Sequence, residues 1–156
     1  MRPAQIPVGL HLTQVTRTVS RAFDEELAAA GGSLPVWLVL LNLKARNVGN
    51  QRELAAAVGI REATLTHHLN SMETGGLITR RRDPANRRIH VVELTPAGED
   101  VFVRLRAAAL SFDARLRSGL TERQLADFGA VLGQLAANVA GEQDGPPWAG
   151  LAEERS

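Results

Sequence analysis

The chain has 156 residues, 44% of them hydrophobic, no cysteine and a formal net charge of +1, which is enough apolar material for a core and too much for general disorder. The missing thiols exclude disulfides, thiolate metal sites and cysteine-based redox sensing. No apolar run reaches about 18 residues and no basic-then-apolar leader precedes a cleavage site, so we expect a cytoplasmic protein that neither spans a membrane nor is secreted.

Residues 1–7 carry two prolines and read as a tail suited to packing on a partner chain. From about Val8 a long amphipathic helix is expected, because Leu12, Val15, Val19, Phe23 and Leu27 recur at spacings of three and four. Gly31 and Gly32 close it. Ser33 and Pro35 open a second, nearly all-apolar helix that buries Val36, Trp37, Leu40 and Leu41. Residues 44–49 form a connector. Asn50 is a good N-cap, and Glu53 stands where a capping box would have it reach back. The third helix thus starts at Gln51, buries Leu54, Ala55 and Val58, and ends at Gly59.

A fourth helix is expected from Arg61 to about Thr74. Leu65, Leu69 and Met72 make its buried face, and Ala63, Thr66, His67, Asn70 and Thr74 its outer face. An ordinary solvated face is rich in Glu and Lys. Thr, His and Asn instead offer donors and acceptors for base edges, and Ala63 suits a thymine methyl. After Gly75-Gly76, a strand from Leu77 to Arg82, a turn at Asp83-Pro84-Ala85-Asn86 and a returning strand from Arg87 to Leu94 predict a β-hairpin. Five arginines (Arg80, Arg81, Arg82, Arg87 and Arg88) crowd it, a repulsive arrangement unless matched by phosphates or a narrow minor groove. Between residues 44 and 95, nine basic residues face five acids, a net of +4, so the rest of the chain is net −3. A basic reading head on an acidic scaffold has this asymmetry. Solvated surface arginine is the bland alternative for the charge alone.

Thr95 and Pro96 cap a fifth helix, with Glu99 and Asp100 near its positive end and Phe102, Leu105, Ala109, Phe112 and Leu116 on one face. Thr121 and Gln124 repeat the capping-box pattern for a sixth, with Leu125, Phe128, Leu132, Leu135 and Val139 on its stripe. Residues 141–156 read as a loose tail that Trp148 can pin. Seams of this kind are more often internal core than interface. Here three amphipathic helices flank a core too small to cover them, which argues for a symmetric homodimer.

The order and spacing of Gln51-Arg52-Glu53-Leu54-Ala55, Thr64-Leu65-Thr66, Gly76-Leu77-Ile78-Thr79-Arg80, Asp83-Pro84-Ala85-Asn86-Arg87-Arg88 and Leu94-Thr95-Pro96-Ala97-Gly98 resemble the MarR family of winged-helix regulators. The resemblance extends, more weakly, from about residue 7 to residue 140. It implies a homodimer held by the first and last two helices, with each recognition helix in a major groove and each wing in a minor groove. It also implies an effector pocket between the reading head and the dimerisation helices. Two positions depart from the family pattern. Asn86 stands where many members have Asp at the wing tip, and His67-His68 replace an arginine followed by an apolar residue, so base preference does not transfer from relatives.

His11, His67, His68 and His90 are the only histidines, and adjacent His67 and His68 point about 100° apart on a helix, unlike the i, i+4 pair of a helical zinc site. We expect no metal and no cofactor. His67 is assigned to DNA, with solvated surface as its bland alternative. His68, His11 and Trp37 are candidates for a small-molecule pocket suited to an aromatic acid, against a satisfied core histidine and a plain core tryptophan. No phosphate loop, nucleophile elbow or tyrosine suggests catalysis.

The expected fold is mainly α with a small β-hairpin: a winged helix-turn-helix core flanked by dimerisation helices. The expected units are residues 1–33 (N-terminal dimerisation helix), 34–95 (DNA-binding domain), 96–140 (C-terminal dimerisation helices) and 141–156 (loose tail). The expected function is that of a transcriptional regulator rather than an enzyme, a repressor binding a pseudopalindromic duplex as a homodimer and released by a small aromatic or phenolic effector. Arg61, Thr64, Thr66, His67 and Asn70 would address the major groove and Arg87 and Arg88 the minor groove. The alternatives are a winged-helix protein-interaction module and a ligand- or metal-binding protein without specific DNA binding.

Overall fold

The computed structural model describes residues 6–45 and 50–140. The expected N-terminal tail up to residue 5, most of the 44–49 connector, and the C-terminal tail with Trp148 lie outside the described residues. The elements run in the order α1 (Val8–Ala29), α2 (Leu34–Ala45), α3 (Gln51–Val58), α4 (Glu62–Thr74), β1 (Ile78–Arg82), β2 (His90–Leu94), α5 (Pro96–Leu116) and α6 (Glu122–Val139). The fold is thus mainly helical with one antiparallel hairpin, in which Ile78 pairs with Leu94 and Arg82 with His90. An isolated bridge between Asn50 and Val91 ties the start of α3 to the hairpin.

Local chemistry explains the element ends. The Asn50 side chain accepts from the backbone N–H of Arg52 at 2.9 Å and of Glu53 at 3.5 Å. The expected return bond from Glu53 is not seen among the described residues, so the cap is one-sided. Thr121 and Gln124 do form the reciprocal box, at 3.1 and 2.9 Å. Gly59 ends α3 in the left-handed region, φ 75°, which a side chain would disfavour. The returning strand is shorter than expected. Arg87, Arg88 and Ile89 belong to the turn, because Asp83 N–H bonds the Ile89 carbonyl and Ile89 N–H bonds the Asn86 carbonyl, closing the loop ahead of the ladder.

One core joins the elements: Leu40 from α2, Leu54 from α3, Leu65 and Leu69 from α4, Ile78 and Val92 from the hairpin, and Leu27 and Leu105 from α1 and α5. Trp37 stacks on Phe102 at 5.8 Å and Phe23 on Phe112 at 4.9 Å. Lys44 reaches Glu99 at 2.8 Å and Arg115 reaches Glu26 at 2.9 Å, so α5 is tied to both N-terminal helices. Gly98 packs where α5 crosses the chain before β1: a Cβ there would lie 2.1 Å from the Leu77 carbonyl oxygen.

The outlying helices are another matter. Only Leu27 of α1 is buried, and α6 buries nothing and packs closely on no other described element. Leu12 and Val15 on α1, Leu110 and Leu116 on α5, and Phe128 and Val131 on α6 are exposed, Phe128 at 57%. No single described helix is long and apolar enough to cross a membrane.

Candidate nucleic-acid interface

The helix α4 is fixed from below by Leu65, Leu69 and Met72, all buried. Its rotation is thereby set, and the residues left exposed along its outer side are Ala63, Thr64, His67, Asn70, Ser71 and Thr74, with Glu62 and Glu73 exposed at its edge. Of the five residues expected there, Ala63, His67, Asn70 and Thr74 are exposed and Thr66 is not. Thr66 is half-buried: its hydroxyl donates to the Glu62 carbonyl at 2.9 Å and accepts from Gln51 Nε2 at 2.7 Å, which uses it to brace α4 against α3. Asn70 is exposed, but its Oδ1 accepts from Arg80 Nη2. Ser71 was missed in the sequence, although it lies i+4 from His67 on a helix of known register.

Arg61 is the exposed N-cap residue of α4, without a side-chain capping bond. Thr64 is exposed one turn ahead of His67 and His68. The two imidazoles lie edge to face, 5.8 Å apart, with His67 exposed and His68 half-buried.

The five hairpin arginines divide into two sets. Arg80 donates from its backbone N–H to Glu73 Oε2 at 3.0 Å, from Nε to the same oxygen at 3.3 Å, and from Nη2 to Oε1 at 3.2 Å. These bonds hold the Glu73 carboxyl below the ordinary glutamate range. Arg81 pairs with Glu93 across the ladder at 2.8 Å, which raises the guanidinium further above its already high range. Arg82, Arg87 and Arg88 are exposed and make no ion pair among the described residues. At the tip, Asp83 Oδ1 accepts from Ala85 N–H at 2.8 Å and Asn86 Oδ1 from Arg88 N–H at 3.2 Å. Asn86 therefore shapes the loop backbone and leaves both guanidiniums of Arg87 and Arg88 free of it. A cleft of about 390 Å³ lined by Gln51, Thr66, Glu73, Arg80 and His90 separates α4 from the wing.

The three ligand candidates are not gathered. Trp37 is core, with one face against Phe102. His11 is exposed on the free half of α1, about 24 Å along the axis from Leu27, where that helix enters the core. Among the described residues no aromatic contact joins His11 or His68 to Trp37, and no group of three His, Cys, Asp or Glu could hold a metal ion.

An uncharged donor and acceptor face on a helix, next to three guanidiniums that have no carboxylate partner among the described residues, is complementary to a duplex: polar base edges between two lines of phosphate. The model of the MarR family matches residues 33–90. A protein of Thauera aromatica, named provisionally as a transcriptional regulatory protein for the hcr operon, is 27% identical over 129 residues, 82% of this chain and 76% of its own length. The crystal structure of transcriptional regulator PA3341 is 33% identical, with a TM-score of 0.71 over 85% of this chain and 97% of that one. CouR from Rhodococcus jostii RHA1, solved bound to p-coumaroyl-CoA, shares the fold at 22% identity, with a TM-score of 0.72 over 91% of this chain and all of that one.

Proposed function

The chain belongs to the MarR family and is a transcriptional regulator rather than an enzyme, and on that premise we propose that it binds a specific pseudopalindromic duplex as a homodimer and acts as a repressor in the cytoplasm. The observation that carries the reading is the outer face of α4, with Thr64, His67 and Ser71 exposed beside Arg82, Arg87 and Arg88, which are exposed and without an ion pair among the described residues. In this proposal residues 34–95 form the DNA-binding domain, and residues 1–33 with 96–140 hold two copies together. The exposed apolar residues of α1, α5 and α6 support the second half of that division. Thr64 and His67, with Arg61 at the helix start, address the major groove. Arg87 and Arg88 address the minor groove. Thr66 contributes by holding α4 on α3.

Release by a small aromatic or phenolic effector is part of the proposal, supported by the phenolic acyl group of the CouR ligand. His68, half-buried on α4, is the residue of this chain offered to such a ligand, by its imidazole, whereas Trp37 is committed to the core. An effector lowers DNA affinity only if it prefers the state whose two α4 helices no longer match successive major grooves. A His68→Ala variant with an unchanged effector response would remove His68 from that role.

Fluorescence anisotropy of the purified protein on fragments from upstream of its own gene, against scrambled duplex at two salt concentrations, tests the DNA assignment. Preference for one fragment of order 10³ or more is expected. Weak binding that ignores sequence and vanishes with salt would leave only a basic surface.

A further inference from the structure

A duplex with α4 in a major groove and the wing tip in the minor groove beside it must carry one sugar-phosphate strand across the gap between the two elements, because that strand is what separates the grooves. In this chain the gap is the cleft lined by Gln51, Thr66, Glu73, Arg80 and His90. A second cleft of about 450 Å³ adjoins it on the side of the wing tip, sharing Gln51 and His90 and reaching Arg52 and Arg88. His90 therefore stands where the two meet. Strand alternation gives it a companion. Arg80 and Arg82 share one face of β1, and the ladder sets Arg82 directly opposite His90 and Arg80 opposite the buried Val92. Arg81 points the other way and is taken by Glu93. The carboxylates nearby are engaged as well: Glu73 with Arg80, Glu62 with Arg52 at 4.0 Å, and Asp83 with the N–H of Ala85. Arg82 and His90 are exposed and have no carboxylate partner among the described residues. Two cationic groups facing each other across a ladder repel, and an anion lying between them removes the repulsion.

We propose that Arg82 and His90 form a clamp for one phosphodiester, the linkage that passes between the major groove read by α4 and the minor groove entered by the wing. The inference rests on the DNA-binding reading above and adds a contact that reads no base. Half of the clamp is an imidazole, so it gains charge as pH falls through the range of roughly 5 to 8 in which histidines titrate, and a bound phosphate favours the charged form. The charged groups facing His90 are Arg52 from α3, Glu62 and Glu73 from α4, and Arg80, Arg82 and Arg88 from the hairpin. The two carboxylates are already paired, so the bound phosphate supplies the counter-charge, and operator affinity rises as pH falls.

The test starts by selecting, from a random-sequence duplex pool, the site the wild-type protein prefers. Anisotropy is then measured on that site at about pH 6 and about pH 8, the two sides of the histidine range, and on copies in which each linkage in turn is an uncharged methylphosphonate. Relative to wild type, His90→Gln should bind about tenfold more weakly at the lower pH and nearly equally at the higher. His90→Arg, charged throughout, should match wild type at the lower pH and exceed it at the higher. One linkage in each half-site, between the base pairs under α4 and those under the wing, should cost wild type about tenfold when neutralised and cost His90→Gln and Arg82→Gln about threefold or less. Melting curves establish that each variant is folded, and His90→Arg decides for the imidazole if His90→Gln is not. A loss in His90→Gln that is the same at both pH values would overturn the inference, as would His90→Arg equal to wild type at the higher pH. So would a linkage whose neutralisation costs either glutamine variant as much as wild type. A wild-type protein that selects no site would overturn the DNA-binding reading and the inference with it, so the two failures are told apart.

Discussion

Two polar residues of α4 that share a helix and a chemistry have different fates. Thr66 and Asn70 were both expected on the reading face, since both flank the apolar stripe of Leu65, Leu69 and Met72. Helical periodicity gives the buried stripe with confidence but leaves flanking positions undecided, and the decision comes from partners far away in sequence: Gln51 for Thr66, Arg80 for Asn70. His67, opposite the stripe, is exposed as its spacing implies. Replacing His67 by Ala should cost about 1 to 3 kcal/mol in operator binding and relax base preference at one position, as a panel of base-substituted duplexes would show. Arg88→Ala should instead weaken operator binding most where the minor groove at the wing is narrow and A·T-rich, and reduce the salt slope by about 1. Normal operator binding by that variant would remove the wing from the interface. The Glu73–Arg80 pair supplies a pH dependence. A carboxyl whose folded value is depressed contributes stability above its unfolded value and loses it as pH falls through the folded one. The difference in urea midpoint between wild type and Glu73→Gln should therefore be largest near neutrality and shrink in acid; an unchanged difference would mean the ion pair adds no stability.

Elements were read most accurately where their ends are decided locally. Asn50, Gly59, the Thr95-Pro96 pair and the Thr121/Gln124 box act within one turn of themselves, so sequence alone carries them. The hairpin was legible in outline but its return was set too early, because arginines at positions 87 and 88 carry no preference that separates strand from turn. The close approach at Gly98 was not legible at all, since nothing near it in sequence indicates that the Leu77 carbonyl crosses there. That carbonyl also accepts from Thr95 N–H at 3.1 Å, so it cannot retreat without breaking the junction between hairpin and α5. Gly98→Ala should lower stability by roughly 1 to 3 kcal/mol, read as a fall in thermal midpoint. A variant as stable as wild type would show that the junction can open.

At the scale of the whole molecule, the unanswered apolar surface decides. The stripe of Leu125, Phe128, Leu132, Leu135 and Val139 was evident from spacing, but spacing cannot say whether its cover is the same chain or a second one. In the structure no described element covers it. Phe128→Asp, placing a charge in the centre of that stripe, should convert a dimer into a monomer in sedimentation velocity and abolish operator binding with it. A variant still dimeric would take α6 out of the interface.

The helix α5 leaves the base of the hairpin at Thr95 and runs unbroken for 21 residues to the region of the outlying helices. It is a lever arm of about 31 Å, rigid on the scale of the forces involved. A tilt of only about 10° at one end carries the other about 5 Å, close to one pitch of the helix itself. Because Val101, Leu105 and Phe112 are buried and Lys44 and Glu26 pair with its two ends, that arm moves only together with α1 and α2. Such coupling is reciprocal: a duplex that fixes the hairpin biases the outlying helices by the same free energy that they exert on it.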